Sequence, residues 1–133
     1  KNKTFFHGHS YTANPTACAA ALASMDLMEK EETIANINRI SSSHAAFKSK
    51  LTGNKNILSV RSLGTILAIE IKTKEESGYM NSLADKISSY FIEKGILLRP
   101  LGNVLYVLPP YCISDQDLEY IYGAIYDFLN SQI

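Results

Sequence analysis

Apolar residues recur along the chain in two patterns, one with helical spacing and one typical of strands. The helical pattern predicts helices over residues 15–31, 34–51, 82–94 and 114–130. Short runs rich in β-branched and other apolar residues predict strands over residues 57–61, 65–71, 96–100 and 104–108. We therefore expect an α+β fold, with a long leading helix followed by a small antiparallel sheet of about four strands packed by helices.

Two features of the strand pattern predict how the sheet is arranged. The run from Thr65 to Ile71 is strongly β-branched and alternates only weakly, which favours a central, well-buried strand. The last two runs flank Leu101-Gly102-Asn103, a short connection that contains a glycine. Such a connection is typical of an antiparallel hairpin.

Residue types that favour helix starts and helix ends occur at the boundaries of the predicted helices. Asn14 and Pro15 suit an N-cap and a first helical position, and glycines suit helix ends. The remaining boundary signals are Gly53-Asn54, Ser82 with Asp85, Gly95, and Ser114 with Asp117. The two Ser-x-x-Asp patterns predict capping boxes at the third and fourth helices.

Several side chains receive ordinary structural interpretations. Leu22, Met25 and Met28 form an apolar stripe on the first helix, which is typical of core packing. His44 is interpreted as a surface histidine, since no second ligand lies four residues away. Cys18 and Cys112 have no metal-type spacing and are expected to be reduced core thiols. We expect no metal site.

Composition and charge narrow the class of protein. The chain has 133 residues, enough for one domain, with 46% hydrophobic and 20% charged residues. Its 13 basic and 13 acidic residues cancel, so we expect neither a nucleic acid nor a membrane as partner. The absence of a membrane-length apolar run or secretory leader favours the cytoplasm. The start at Lys1 suggests a fragment or processed product.

Two places could carry chemistry. The polar loop from His7 to Asn14 runs into a helix start, which is either a phosphate site or simply a well-capped helix. Arg99 stands in an otherwise apolar run just before Pro100. A buried arginine there needs an anion, and guanidinium geometry suits a carboxylate. The alternative is a strand-end arginine that reaches solvent.

The loop carries a family resemblance. The run HGHSYTANPTACAAALASMDLMEKEE resembles the segment that follows the cofactor lysine in class III pyridoxal-phosphate aminotransferases, where an H-G-x-[ST]-[YF]-x-[AG]-N-P loop opens a small-residue helix. The later run GILLRPLGNVLYVLPPYCIS resembles the carboxyl-terminal signature of the members that act in biotin synthesis. The resemblance spans essentially the whole chain.

That resemblance implies a division of the chain and a set of site residues. Residues 1–14 would be a cofactor-phosphate loop, 15–32 a connecting helix and 33–133 the carboxyl-terminal small domain of a homodimeric enzyme. His9 and Ser10 would contact the phosphate of the neighbouring subunit's pyridoxal 5'-phosphate. Gly8, Arg99 and Tyr106 would bind substrate, although Tyr106 is also interpretable as a core tyrosine. Many relatives have proline-threonine where this chain has His9-Ser10; serine keeps the hydroxyl donor.

The resemblance also implies the activity and its limits. The whole enzyme would transfer an amino group from S-adenosylmethionine to 8-amino-7-oxononanoate, which are small-molecule substrates, giving 7,8-diaminononanoate. The lysine that forms the Schiff base with the cofactor would lie upstream of His7, so no catalytic residue is assigned here and the fragment is expected to be inactive alone. Two alternatives stay open: another class III aminotransferase of ω-amino acids, and a non-catalytic α+β interaction module.

Overall fold

The computed structural model describes residues 8, 12–76, 78, 80–131 and 133. The chain divides into two compact units, Lys1–Ile34 and Ala35–Ile133. In order along the chain, the elements are α1 (Pro15–Met28), α2 (Glu31–Lys50), β1 (Ile57–Leu63), β2 (Ile66–Ile71), α3 (Leu83–Glu93), β3 (Val104–Val107) and α4 (Asp115–Ser131). The α+β architecture predicted from the sequence is confirmed.

The boundary between α1 and α2 lies earlier than the sequence pattern indicated. Helix α1 ends at Met28 rather than near residue 31, and α2 begins at Glu31 rather than at Ile34. The Thr33 hydroxyl donates to the Leu27 carbonyl at 2.7 Å, which uses one of the acceptors that a helix end leaves free. Glu31 and Glu32, which the sequence pattern placed outside the second helix, occupy the first turn of α2, where their charges interact favourably with the helix dipole.

Every described side chain of α1 is exposed. Leu22, Met25 and Met28 have 63%, 59% and 43% of their surface accessible. The expectation that this stripe packs into a core is therefore wrong within the structure. The cysteines were also placed wrongly. Cys18 and Cys112 are unbonded thiols, as expected, but both are exposed rather than in the core.

The sheet has three antiparallel strands in the order β1-β2-β3. Strand β2 is central, and Leu67, Ile69 and Ile71 are buried on one of its faces, which confirms the sequence expectation. The fourth predicted strand does not form. Residues 96–100 lie outside any strand, and only an isolated bridge between Leu101 and Val104 closes the turn that follows them.

The hairpin stops next to Pro100, whose ring fixes φ near −65°, away from the value of about −140° that is typical of antiparallel strands. The turn itself forms as the sequence predicted: Leu101 and Val104 exchange both main-chain hydrogen bonds, at 2.9 and 3.0 Å. Gly102 has a φ of +60°, which suits the first central position of a two-residue hairpin turn.

Helices α2, α3 and α4 supply side chains to one face of the sheet. The hydrophobic core there joins buried residues of all three helices to alternate residues of β2 and β3. Phe47 and Tyr122 stack with ring centroids 4.3 Å apart, which holds α2 against α4. The helices contribute Phe47, Ile87, Phe91, Leu118, Tyr122, Ala124, Ile125, Phe128 and Leu129, and Leu51 joins them from the turn just after α2.

The two predicted capping boxes have opposite outcomes. At α4, Ser114 Oγ accepts from the Asp117 N–H at 3.0 Å and donates to Asp117 Oδ2 at 2.6 Å, as predicted. At α3, Ser82 makes no side-chain capping bond. Instead Asn81 Oδ1 accepts from the Leu83 N–H, and Glu75 accepts from both the N–H and the hydroxyl of Ser82. These bonds to its ionised form lower the pKa of the Glu75 carboxyl.

Candidate functional site

The start of α1 is capped as the sequence predicted. Asn14 Oδ1 accepts from the Ala17 N–H at 3.1 Å, and Pro15 occupies the first position, where no N–H is needed. The preceding residue, Ala13, has a φ of +55°, a left-handed conformation that a residue with a side chain adopts at a cost of about 1–2 kcal/mol. The chain therefore turns sharply just before the helix.

This helix start retains few donors for an anion. The Ala17 N–H bonds to Asn14 Oδ1 and the Cys18 N–H bonds to the Asn14 carbonyl, which leaves Thr16 as the first-turn N–H without a bond among the described residues. The first turn has no acidic side chain, so the dipole there is not neutralised. An anion beside this turn would take most of its hydrogen bonds from the loop before it.

Two of the loop residues singled out by the sequence, His9 and Ser10, lie outside the described residues. Gly8 is described and exposed. A Cβ added at Gly8 would meet no described atom within 4 Å, so packing within the described chain does not require glycine there. The phosphate and substrate roles of these three residues remain predictions.

Arg99 lies in the extended segment between α3 and the Gly102 turn. Its side chain is exposed, and it makes no ion pair or hydrogen bond with any residue that the structure describes. Because the guanidinium is not buried, it needs no partner within the fold. It is free to engage an anion from outside, and a solvent-facing role is equally compatible with this position.

The turn places Arg99 and Tyr106 on its two arms, each two residues from the Leu101–Val104 bridge. Tyr106 is half-buried and faces away from the core, because its neighbours Leu105 and Val107 are the buried residues of β3. On that outer face it pairs with Ala68 of β2, which pairs in turn with Arg61 of β1. Arg61 and Tyr106 thus lie on the same outer face of the sheet, and Arg99 lies beside the turn that precedes β3.

His44, interpreted from the sequence as a surface histidine, is instead buried on the core side of the sheet. His44 is fully buried, with Nδ1 2.7 Å from the Tyr122 hydroxyl and Nε2 3.0 Å from the Thr65 carbonyl. A carbonyl can only accept, so Nε2 carries the hydrogen. The neutral ring then accepts at Nδ1 from the Tyr122 hydroxyl. One side chain therefore links α2, the β1–β2 turn and α4.

Burial shifts the titration of both partners toward their neutral forms. The pKa of His44 is lowered by desolvation, which the hydrogen bond to the Thr65 carbonyl partly opposes. The pKa of Tyr122 is raised, first by burial and then by the nearby charge of Glu119. A neutral histidine bonded at both nitrogens has no free position for a ligand, so His44 has a structural role.

Among the described residues, no group of three or more His, Cys, Asp or Glu side chains is arranged to hold a metal ion. None of the helices in the described part of the chain is both long enough and apolar enough to cross a membrane.

The match to a family model decides the family. The model of the class III aminotransferases, described as "Aminotransferase class-III", matches residues 2–129, which is nearly all of the chain. The chain belongs to the class III aminotransferase family. The loop before α1 and the turn that carries Arg99 both lie inside the matched region.

Similar aminotransferases have one name in common. The adenosylmethionine-8-amino-7-oxononanoate aminotransferase of Synechococcus elongatus is 41% identical over 127 residues, which cover 96% of this chain and 29% of that protein. The enzyme of the same name from Methanocaldococcus jannaschii is 35% identical over 132 residues, covering 96% and 28%. The chain thus spans less than a third of the length of these relatives.

Solved aminotransferase structures have the same fold. The crystal structure of the Methanocaldococcus jannaschii enzyme superposes with a TM-score of 0.81 at 32% identity, covering 96% of this chain and 30% of that one. An omega-transaminase from Thermomicrobium roseum superposes with a TM-score of 0.80, but at 23% identity this likeness shows the fold alone.

Proposed function

We propose that this chain is the carboxyl-terminal part of a pyridoxal 5'-phosphate-dependent transaminase that transfers an amino group from S-adenosylmethionine to 8-amino-7-oxononanoate, giving 7,8-diaminononanoate. The observation that carries the proposal is the shared name of the curated relatives, which are 41% and 35% identical over 96% of this chain. The omega-transaminase of similar fold is only 23% identical, which favours the oxononanoate enzyme over the ω-amino-acid alternative.

In this proposal the residues before α1 contribute to a cofactor site. Pyridoxal phosphate supplies the electron sink that amino-group transfer requires. The described helix start is compatible with a phosphate, since its first turn has no acidic side chain and the Thr16 N–H has no described partner. His9 and Ser10 would provide the remaining donors to the cofactor of a neighbouring subunit, which makes the working enzyme a homodimer.

The carboxyl-terminal turn would hold the acceptor. The carboxylate of 8-amino-7-oxononanoate is a planar anion at the end of a long chain, and a guanidinium can bind it through two parallel hydrogen bonds. Arg99 is exposed and unpaired among the described residues, so binding would not break an existing ion pair. Tyr106 would line the pocket from the outer face of β3, and Gly8 would allow the substrate to approach the backbone closely.

The lysine that holds the cofactor would come from the part of the enzyme before this chain. This chain has lysines of its own, but none is assigned that role. Those of α2, Lys48 and Lys50, lie in its exposed last turn. We therefore expect the isolated chain to be inactive. We also expect the enzyme to be cytoplasmic.

The test uses the full-length enzyme with one amino donor and two acceptors. With S-adenosylmethionine and 8-amino-7-oxononanoate, mass spectrometry should detect 7,8-diaminononanoate in an amount that matches the donor consumed. The control acceptor is a short ω-semialdehyde under the same conditions, and it should remain unaminated. Amination of the semialdehyde without amination of the oxononanoate would assign the chain to the ω-amino-acid enzymes instead.

A further inference from the structure

The turn between Arg99 and Tyr106 contains one buried amide side chain. Asn103 is the second of the two residues between Leu101 and Val104, and none of its surface is exposed. Asparagine is mostly exposed in proteins, and burying its amide is costly unless the polar atoms are hydrogen-bonded. The partners of this amide therefore show which parts of the fold it joins.

The Asn103 side chain continues the β2–β3 ladder into the turn. The register of the two strands ends where Glu70 pairs with Val104. At the next position the Ile71 N–H donates to the Asn103 carbonyl at 2.9 Å, as in a regular antiparallel pair. The Ile71 carbonyl, however, accepts from Asn103 Nδ2 at 2.8 Å. A side-chain donor thus stands where a ladder would use a main-chain N–H, and it binds the turn to the end of β2.

The oxygen of the same amide joins the turn to the loop between β2 and α3. Asn103 Oδ1 accepts from the Gly78 N–H at 3.2 Å. That loop is itself held at the start of α3, where Asn81 Nδ2 donates to Thr73 Oγ1 at 2.9 Å and to the Glu76 carbonyl at 3.1 Å. The turn is therefore fixed by the sheet through one atom of Asn103 and by a braced loop through another.

Arg99 depends on this turn for its placement. Its exposed side chain makes no ion pair or hydrogen bond with the residues that the structure describes, so nothing described holds the guanidinium directly. Two parallel hydrogen bonds to a carboxylate require a correct orientation as well as a correct distance. A shift of the turn would therefore misdirect Arg99, and would move it relative to Tyr106 on the other arm.

We propose that Asn103 is a positioning residue for the acceptor: its buried amide fixes the turn, so that Arg99 and Tyr106 keep the relative placement that the carboxylate end of 8-amino-7-oxononanoate requires. The inference rests on the proposed function and adds to it a residue that does not touch the substrate. Because Asn103 acts through Arg99, loss of its amide should matter little once the guanidinium is gone.

A double-mutant cycle in the full-length enzyme tests the proposal. Asn103→Ala should lower kcat/KM for the acceptor about 10-fold or more, since a small misplacement of a binding group is costly. The change should lie in KM, with kcat altered less than about 3-fold. In an Arg99→Ala background, the same substitution should lower kcat/KM less than about 2-fold, because residues that act as a unit are not additive.

A control for stability separates positioning from a general loss of structure. Tyr122→Phe removes the buried hydrogen bond to His44, which lies beside Thr65 at the opposite end of β2. It should leave the KM for the acceptor unchanged at a temperature where all variants are folded. Asn103→Ser, whose side chain is too short to bond both partners, carries the same cycle if Asn103→Ala does not fold.

Hydrogen–deuterium exchange gives a readout that does not depend on catalysis. Without its acceptor, the Gly78 amide should exchange about 10-fold faster or more in the Asn103 variant than in the wild type. The Asp117 amide, bonded within the α4 capping box, is the internal control and should not change.

Three results would overturn the proposal. An acceptor KM that the Asn103 variants leave unchanged would make Asn103 a structural residue only. Equal losses of kcat/KM in the two backgrounds would mean that it does not act through Arg99. An equal rise of KM in Tyr122→Phe would attribute the effect to stability. A wild-type enzyme that does not aminate 8-amino-7-oxononanoate would instead refute the proposed function, and exchange at Gly78 would still show whether Asn103 holds the turn.

Discussion

The Tyr122 hydroxyl lies 2.7 Å from His44 Nδ1, joining two helices across 78 residues of sequence. The bond is one of two that the buried imidazole makes, and the Thr65 carbonyl fixes which nitrogen carries the hydrogen. A buried acceptor that loses its donor retains the penalty of desolvation. The stability of the Ala35–Ile133 unit should therefore depend on this hydroxyl.

Replacing Tyr122 with phenylalanine tests that dependence. The ring still stacks on Phe47, but His44 Nδ1 loses its donor, so the free energy of unfolding should fall by about 1–3 kcal/mol. Urea unfolding of the chain, followed by circular dichroism, measures the loss. The matched control is Tyr126→Phe on the same helix, where the side chain is half-exposed and the change should stay within about 0.5 kcal/mol. Equal losses in the two variants would contradict the prediction.

The lowered pKa of His44 predicts a pH dependence of stability. Below its ordinary value of 6.5, an unfolded histidine takes up a proton that the folded one resists. The unfolded state then binds more protons, so stability falls as the pH drops below 6.5 and levels off below the folded pKa. The slope from one such group is at most about 1.4 kcal/mol per pH unit. Measuring the unfolding free energy of the wild type and of His44→Gln between pH 7.5 and 5 isolates the contribution of His44. If the two proteins show the same dependence on pH, other groups are responsible.

The capping box at α4 predicts a second stability effect. Removing the Ser114 hydroxyl leaves the Asp117 N–H without its acceptor at a helix start, so Ser114→Ala should lower the unfolding free energy by about 0.5–2 kcal/mol. Ser114→Thr keeps an oxygen at the same place and should recover most of that loss. Ser42→Ala, at an exposed position within α2 where the serine side chain makes no described hydrogen bond, is the control and should not lower the unfolding free energy. A loss there as large as at Ser114 would contradict the prediction.

The proposed role of Arg99 predicts an asymmetric effect in the full-length enzyme. Replacement should remove a paired contact at the far end of the acceptor, with a loss of about 2–4 kcal/mol that appears mainly as a higher KM for 8-amino-7-oxononanoate. Arg99→Lys should recover little, because an ammonium cannot reproduce the planar fork. The KM for S-adenosylmethionine should change much less. Steady-state kinetics with each substrate varied in turn checks this, and equal effects on both would make Arg99 a structural residue.

The sequence predicted the local features of this fold well, because they depend on residues close together. The β-branched run from Thr65 to Ile71 predicted the central strand, and Ser114 with Asp117 predicted the start of α4. These signals are set by local composition and by bonds within one turn. They require no knowledge of distant partners.

The errors come from contacts that the sequence does not display. His44 lies in a polar stretch of α2, and only the fold brings it to Tyr122 and to the Thr65 carbonyl. Residues 96–100 have the composition of a strand, but composition does not show whether a neighbouring strand pairs with them, and here only the Leu101–Val104 bridge forms. At the candidate site, sequence patterns identified Arg99 and Tyr106, and the structure adds that they lie on the two arms of one turn.

Asn103 couples that turn to a loop that has no role in the proposed chemistry. Its side chain, fully buried, donates to the Ile71 carbonyl at 2.8 Å and accepts from the Gly78 N–H at 3.2 Å. The loop between β2 and α3 is therefore a poor place for insertions or for exchange with another transaminase. An engineer who grafted a different loop there would also reposition the turn, and with it the orientation of the arginine two residues beyond its bridge.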